Sequence, residues 1–544
     1  MLKTKEKKIA DIELNEQFKN ALGLMEDTSQ NIFVTGKAGT GKSTLLDYFR
    51  AHTAKQVVIL APTGVAALNV KGQTIHSFFG FKPDITIEKA KKRAYQILKS
   101  DDAEKLKRYR AVATIIIDEV SMVRADVLDC VDIFLRTMRG SRELPFGGVQ
   151  MIFIGDLYQL PPVVTGDEKE AFAALYPTSY FFSSFVLQNF SMAFVELEKI
   201  YRQKDERFIH ILNAIRNNTV TDEHLIDLNV RTRPAFLPPA DEMFITLTPT
   251  NAEAQKINEE RLAELRGKSF RYEAELGGEF TNGQLPTDNV LTIKKGSQVM
   301  MVCNDSERRF VNGSVGKVVG IETGEEGIPD SITVLFPDGR QIDVLPHTWE
   351  LFSYMFDEDT RALRTESAGT FTQYPLKLAW AVTIHKSQGK TFDKVVIDMG
   401  RGAFAHGQTY VALSRCTSLE GLILKKPILR RHIFIDRKVV EFVTKYQYHL
   451  SEERVPKKDK VVMIEEAIRA GRALEIVYLK ANDEKTTRVI DPRAIGDMEY
   501  NDKKYLGVEA FCHTRGDVRR FRVDRILEMD FLTSHEVTHP VSRD

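Results

Sequence analysis

The sequence predicts an α/β protein: two parallel sheets covered by helices, a small β-barrel set into the second, and a separate, mainly β module at the C-terminal end. Three observations carry this. Residues 30–200 alternate short β-rich apolar runs with helical patterns, which is how a parallel sheet reads. Gly36-Lys37-Ala38-Gly39-Thr40-Gly41-Lys42-Ser43 fits the phosphate-loop pattern G-x-x-x-x-G-K-[ST], and it stands between a strand and a helix as that pattern requires. From about residue 286 the pattern changes to short strands separated by Gly-rich turns such as Val311-Asn312-Gly313, the mark of a small antiparallel barrel.

Composition sets the bounds. The 544 residues suffice for several domains, and 43% hydrophobic with 28% charged residues is a globular balance. Lys plus Arg (76) equals Asp plus Glu (76), so any nucleic-acid binding must use local patches rather than a global charge excess. Cys130, Cys303, Cys416 and Cys512 are widely spaced and form no C-x-x-C pair, which argues against a zinc site and a disulfide framework and for a reduced, cytosolic-type compartment. The first residues lack the apolar stretch of a signal peptide, and no run approaches the length of a membrane span.

In chain order, Leu14-Asn15-Glu16-Gln17-Phe18 opens an amphipathic helix. The Gln17 amide suits an adenine edge and equally a solvated helix surface. Strands are expected at Asn31–Thr35, Val57–Ala61, Ala113–Ile117, Val149–Ile154 and Phe194–Leu197. In the phosphate loop, Gly36, Gly39 and Gly41 let the backbone curl so that N–H groups, those of Thr40 and Thr44 included, face the phosphates. Lys42 supplies a point charge there, and Ser43 a hydroxyl for Mg²⁺.

The loops Ala61–Ala67 and Gly72–Phe79 follow strand ends, where ligands of open α/β sheets bind. Thr63, Gly64, Thr74 and Ser77 are candidates for phosphate contacts, and Phe78 or Phe79 for stacking on a base. The plainer reading makes both phenylalanines core and His76 a packing residue. Residues 86–110 carry Lys91, Lys92, Arg93, Lys105, Lys107 and Arg108 at helical spacing, which reads first as a solvated face.

Ile115-Ile116-Ile117 runs into Asp118-Glu119. Two carboxylates at a buried strand end beside a phosphate loop suit metal binding by Asp118 and water activation by Glu119. The next strand ends in Gly155-Asp156-Leu157-Tyr158-Gln159, whose Gln159 amide suits a γ-phosphate. Arg202 and Arg415 are candidate arginine fingers. A second α/β unit without a phosphate loop begins near Phe244 and resumes after the barrel at Ala379–Gly389, where His385, Lys386, Ser387 and Gln388 put polar donors in one loop. The charged, proline-broken stretch 451–460 reads as a linker. Beyond it come one helix and strands at Leu474–Leu479, Thr487–Ile490, Tyr505–Phe511 and Arg519–Val523, with Arg520 and Arg522 on one strand face.

Assembled, these stretches resemble the superfamily-one DNA helicases of the 5′-to-3′ branch, closest to the petite-integration-frequency family, over roughly residues 10–430. Pro145-Phe146-Gly147-Gly148-Val149-Gln150 adds to the likeness. The resemblance implies two RecA-like domains, at 1–200 and 201–450, with a wedge at about 86–110 and an SH3-like insertion at about 286–370. It implies ATP and Mg²⁺ as cofactors, with Gln17 on adenine, Lys42 and Ser43 on phosphate and metal, Asp118 and Glu119 as metal ligand and base, and Gln159, Arg202 and Arg415 on the γ-phosphate. Thr63, Thr74, His76 and the loop His385–Gln388 would grip single-stranded DNA, with single/double-strand junctions as further partners and a monomer expected in isolation.

Residues 461–535 resemble a WYL domain, an Sm-like β module, through Glu475–Leu479, Asp491-Pro492-Arg493 and Arg519–Ile526, with 536–544 as a tail. Val477 stands where the family has its Trp. The resemblance implies a nucleic acid or nucleotide ligand near Tyr478, Arg493, Arg520, Arg522 and Arg525, and a bacterial, cytoplasmic, nucleoid-associated setting. Two other classes compete: an ATP-gated nucleic-acid-binding regulator without processive unwinding, and a hexameric remodelling ATPase. The hexamer is disfavoured because this chain carries its own candidate fingers.

Overall fold

The computed structural model describes residues 15–532 except 101, 165, 189, 204, 240–241, 279, 281–284, 306, 308, 326–327, 401, 404, 481–484 and 501–502. The expected tail 536–544 lies outside the described residues. The chain divides into two compact units, one of residues 1–216 and 220–434 and one of residues 217–219 and 435–544.

In the first unit, six parallel strands form one sheet: β1 (Ile32–Gly36), β2 (Val57–Ala61), β3 (Gln73–Thr74), β4 (Thr114–Ile117), β5 (Gln150–Ile154) and β6 (Ala193–Leu197), in the order β3-β2-β4-β5-β1-β6. All five expected strands form, and β3 is an addition too short to leave a periodic signal. The strands are apolar throughout because helices cover both faces; Ile32, Val34, Ile116, Ile152 and Ile154 are fully buried in one core with Leu45 and Leu46 of the helix Lys42–His52. The order places the carboxyl ends of β4, β5 and β1 side by side, so the residues after Ile117, Ile154 and Gly36 converge on one crevice.

A four-stranded parallel sheet follows, ordered 381–383, 245–248, 395–397, 422–424. Between its strands lies the antiparallel insertion. Its five-stranded sheet runs 341–344, 331–335, 315–322, 298–301, 376–378 around a core that includes Val299, Val318, Ile332 and Val334.

The expected barrel bounds need correction. The long hairpin His347–Asp357 and Ala362–Gln373 pairs with Glu275–Gly278 in a separate three-stranded sheet. Alternating burial alone does not distinguish a barrel strand from a projecting ribbon. This hairpin reaches back to the first sheet: the Tyr354 hydroxyl accepts from the Ile59 N–H at 2.9 Å, and Arg108 donates to the Tyr354 carbonyl at 3.1 Å.

The segment 86–110 is two helices, Ile87–Lys99 and Ala103–Ala111. Ala90, Ala94 and Ile97 are buried, and Lys91, Lys92, Lys105 and Lys107 are exposed, as a solvated face requires.

In the second unit, the expected linker 451–460 is mostly helical. The helix Arg437–Arg454 runs into it, and Pro456 interrupts the chain for only two residues before the helix Lys457–Ala470. Proline suits the start of that second helix as well as a linker, which is why composition misled. Five antiparallel strands follow, ordered 517–522, 503–512, 485–500, 474–479, 526–531. The strand 485–500 continues through Pro492 because a bulge there absorbs the missing donor. Among the described residues, no helix is long and apolar enough to cross a membrane.

Candidate functional site

The phosphate loop is shaped by three glycines. Gly39 and Gly41 adopt φ of +83° and +88°, and Gly41 starts the helix Lys42–His52, leaving the first helical N–H groups directed into the crevice. A Cβ on Gly36 would meet the Leu197 carbonyl at 2.5 Å, so the loop is tied closely to β6. Lys42 Nζ donates to the carbonyls of Gly36 (2.8 Å) and Lys37 (3.1 Å), folded over its own loop, and burial lowers its pKa. Ser43 and Thr44 are exposed on the first helical turn, and the Thr40 hydroxyl donates to the Lys37 carbonyl at 2.9 Å.

Asp118 and Glu119 stand at the end of β4 beside this loop. Burial and the neighbouring Glu119 push the Asp118 carboxyl up to about 7, and burial raises Glu119 as well, against the opposing pull of Lys42 and Arg415. Glu119 itself takes φ +50°, an unusual backbone state for a residue other than glycine. Two crowded carboxyls that resist ionising together are a set of hard oxygen donors short of positive charge. With the Ser43 hydroxyl they fit a divalent cation.

Gln159 is buried and donates from Nε2 to Asp156 Oδ2 at 3.2 Å. Asp156 also accepts from Arg216 Nη2 at 3.3 Å, and the Arg216 guanidinium lies 4.0 Å from the Tyr158 ring centroid. Burial is the largest single influence on Arg216 and works against its charge, but Asp156, Tyr158, Tyr410 and Glu196 together outweigh it and raise its pKa. This ion pair was not anticipated from the sequence. The available signal was positional: Arg216 follows Leu212 by four residues on the buried face of the helix Glu206–Arg216.

Both candidate fingers converge on the crevice. Arg202 lies against Gly39 and donates to the carbonyls of Gly389 (3.4 Å) and Ser414 (3.5 Å). Arg415 is fully buried, donating to the carbonyls of Val411 (2.9 Å), Lys390 (3.3 Å) and Ser387 (3.5 Å) and to the Ser414 hydroxyl (2.8 Å). Burial, then Arg202 nearby, brings its pKa down to about 9.

Two further residues join the sheets here. The Tyr410 hydroxyl accepts from the Ala38 N–H at 3.0 Å, and Gln203 Nε2 donates to the carbonyls of Ser414 (3.0 Å) and Cys416 (3.3 Å). Gln17 is farther along: its amide exchanges bonds with Glu198, accepting from the backbone N–H at 2.9 Å and donating to the carboxylate at 3.1 Å.

The candidate strand-gripping residues divide. Thr63 and Thr74 cap short helices, accepting from Ala66 N–H (3.2 Å) and Ser77 N–H (3.0 Å), with Gly64 opening the first and Ser77 exposed on the second. His76 is half-buried near Arg124 and Asp126, and burial lowers its pKa.

Phe79 is a correction: it is fully buried, packed on Phe134 at 5.2 Å and Phe81 at 5.3 Å, so no base can reach its ring, and Phe78 is buried with it. Ser387 is a second. Its hydroxyl is buried and donates to the Ile384 carbonyl at 2.7 Å, shaping the loop rather than presenting a free donor. Lys386 is exposed, His385 half-buried, and the buried Gln388 Nε2 has no hydrogen-bond partner.

In the second unit the expected basic face is largely neutralised. Arg520 donates to Glu509 at 3.0 Å and Arg522 to Asp524 at 2.5 Å, because the register sets Glu509 opposite Arg520. The Tyr478 hydroxyl accepts from the Arg522 N–H at 3.3 Å, Arg493 sits 5.9 Å from the Phe511 ring centroid, and Arg525 lies near Tyr448.

Comparison with known proteins finds relatives over most of the chain. The family model described as PIF1-like helicase matches residues 13–225, and that of the WYL domain matches residues 459–531. The ATP-dependent DNA helicase Pif1 of Bdellovibrio bacteriovorus is 34% identical over 452 residues, covering 81% of this chain and 93% of its own. The ATP-dependent DNA helicase PIF1 of Xenopus laevis is 34% identical over 442 residues, covering 78% of this chain but only 63% of its own length. The solved structure of unliganded Pif1 from Bacteroides sp is 37% identical with a TM-score of 0.71, covering 80% of this chain and 97% of that one. Pif1 helicase from Bacteroides in complex with ADP-AlF3 and ssDNA is 37% identical with a TM-score of 0.58, covering 80% and 98%.

Proposed function

The chain belongs to the PIF1-like helicases, and from that membership we propose that it is an ATP-dependent DNA helicase that moves 5′-to-3′ along single-stranded DNA and opens duplex or structured DNA ahead of it. The observation that carries this reading is the convergence of Lys42, Asp118, Glu119, Gln159, Arg202 and Arg415 at the carboxyl ends of adjacent strands, with both arginines also bonded to the loop 385–390. One group of residues thereby touches the phosphate loop and the loop proposed to hold the strand.

In this reading, the loop amides and Lys42 bind the β- and γ-phosphates once Lys42 leaves the Gly36 and Lys37 carbonyls. Ser43 and Asp118 hold Mg²⁺, which when bound neutralises developing phosphate charge. Glu119 accepts a proton from the attacking water. Gln159 and the two arginines face the γ-phosphate, and Gln17 faces the adenine. Thr63, Thr74, His76, Lys386 and Gln388 contact the strand. The insertion is read as SH3-like, the paired helices 87–111 as the wedge, and the second unit as a module for a nucleic acid or nucleotide ligand.

Strand separation on two partial duplexes tests the proposal, one with a 5′ single-stranded tail and one with a 3′ tail, with ATP and Mg²⁺ at low salt. Opening of the 5′-tailed duplex alone is expected. Opening of only the 3′-tailed duplex overturns the polarity, and ATP hydrolysis without opening of either favours the regulator.

A further inference from the structure

Lys390 occupies an unusual position for a lysine. It follows Gly389, whose φ of +75° turns the chain out of the 385–390 loop, and its aliphatic stem lies along the barrel loop at Gly313. A Cβ built there would stand 3.5 Å from Lys390 Cβ and 3.6 Å from its Cγ. Among the described residues, the hydrogen-bond partner of the ammonium at the end of that stem is a thioether, Met300 Sδ at 3.7 Å.

Its charged neighbours are Lys377 and Lys386. Lys377 is held by Asp288 at 3.1 Å, so three ammonium groups share one carboxylate. Burial, then those two lysines, pushes Lys390 down to about 8. A desolvated ammonium with like charges beside it and no counter-ion is unfavourable unless an anion completes the site. In the same loop, the buried Gln388 Nε2 is a second donor without an acceptor.

Resting on the helicase reading, we propose that Lys390, with Lys377 and Lys386, holds one backbone phosphate of the single strand between the loop 385–390 and the barrel loop 311–314. A phosphodiester supplies the missing negative charge and the oxygen acceptors, and a lysine ammonium binds it as a point charge without reading sequence. The position also has a direct route to the ATP site. The Lys390 carbonyl accepts from Arg415, and the Gly389 carbonyl from Arg202.

The test is the affinity of the full chain for oligo(dT) measured across salt concentrations, for wild type, Lys390→Met and Lys390→Arg. Lys390→Met is expected to weaken binding and to make the log–log salt slope shallower by about 0.7, the loss of one neutralised phosphate on a single strand. Lys390→Arg is expected to keep the wild-type slope. Lys390→Gln, with a polar end, serves as a second neutral variant and is expected to repeat the Lys390→Met result. Wild-type binding with an unchanged slope in both neutral variants overturns the assignment while leaving the helicase reading intact. Failure of the wild-type chain to bind oligo(dT) sinks both. Inorganic phosphate is the control: protection by it that Lys390→Met abolishes, with the oligonucleotide slope unchanged, would make the site one for free phosphate and overturn the DNA assignment.

Discussion

Gly39 and Arg202 stand so close that a Cβ on the glycine would lie 2.5 Å from the Cβ of the arginine. The same glycine needs φ +83°, which costs a residue with a side chain about 1–2 kcal/mol. Gly39→Ala is therefore expected to displace Arg202 and to lower ATP hydrolysis more than it lowers the melting temperature. Steady-state kinetics beside a thermal melt would show this, and an alanine variant with wild-type turnover would refute the close packing.

Lys42→Ala removes the cation from the phosphate loop. Hydrolysis is expected to fall by at least the ~10²–10³ typical of losing a single electrostatic contact to a transition state. Binding of oligo(dT) is expected to remain, because among the described residues Lys42 hydrogen-bonds to the carbonyls of its own loop. Paired ATPase and fluorescence-anisotropy measurements separate the two.

Arg415→Lys keeps the charge and loses the fork. A lysine has one nitrogen to meet four oxygens that the guanidinium reaches through three. Turnover is expected to drop by roughly 10³–10⁵, the range for an absent arginine finger. A lysine variant within tenfold of wild type would remove Arg415 from that role.

Asp118 gives a pH dependence with a definite sign. Its folded pKa, raised by burial to about 7, lies above the ordinary carboxylate value of about 4. The stability contributed by the protonated carboxyl is complete below about pH 4 and is lost as pH rises through about 7. Asp118→Asn is neutral throughout. Without nucleotide or divalent cation it is expected to melt higher than wild type at pH 8, by on the order of 2–4 kcal/mol, with the gap closing towards pH 5. The same variant is expected to lose hydrolysis. Melting curves in a chelator across pH provide the check.

Tyr354→Phe tests the attachment of the hairpin. β2 extends past the two-residue β3, which pairs only with Leu60 and Ala61, so the Ile59 N–H takes Tyr354 as its acceptor instead. Phenylalanine leaves that buried N–H unpaired, at a cost of about 1–3 kcal/mol. A lower melting temperature with faster amide exchange at Ile59 is the expected outcome.

What the sequence revealed follows physical range. The phosphate loop and the Ile115-Ile116-Ile117-Asp118-Glu119 strand end could be read because each is a local pattern tied to local backbone geometry. Tyr410 on the Ala38 amide and Arg216 on Asp156 could not, since each pair is joined only by tertiary packing across long sequence separations. Phe79 beside polar loop residues carried no sign of which way its ring turns, and its burial depends on Phe81, Tyr109 and Phe134 around it. The arginines of the second unit suffered the same ambiguity: the strand register, not the local run, gives Arg520 its carboxylate.

The bonds of Arg415 set a limit on simultaneity. Its nitrogens are committed to Val411, Ser387, Lys390 and Ser414, and a guanidinium has five N–H groups in one rigid plane. Swinging that plane towards an incoming anion withdraws it from the carbonyls of Ser387 and Lys390. In the proposed reading, fuel and track thus compete for one set of donors, and the loop 385–390 is held most firmly when the phosphate claims none of them.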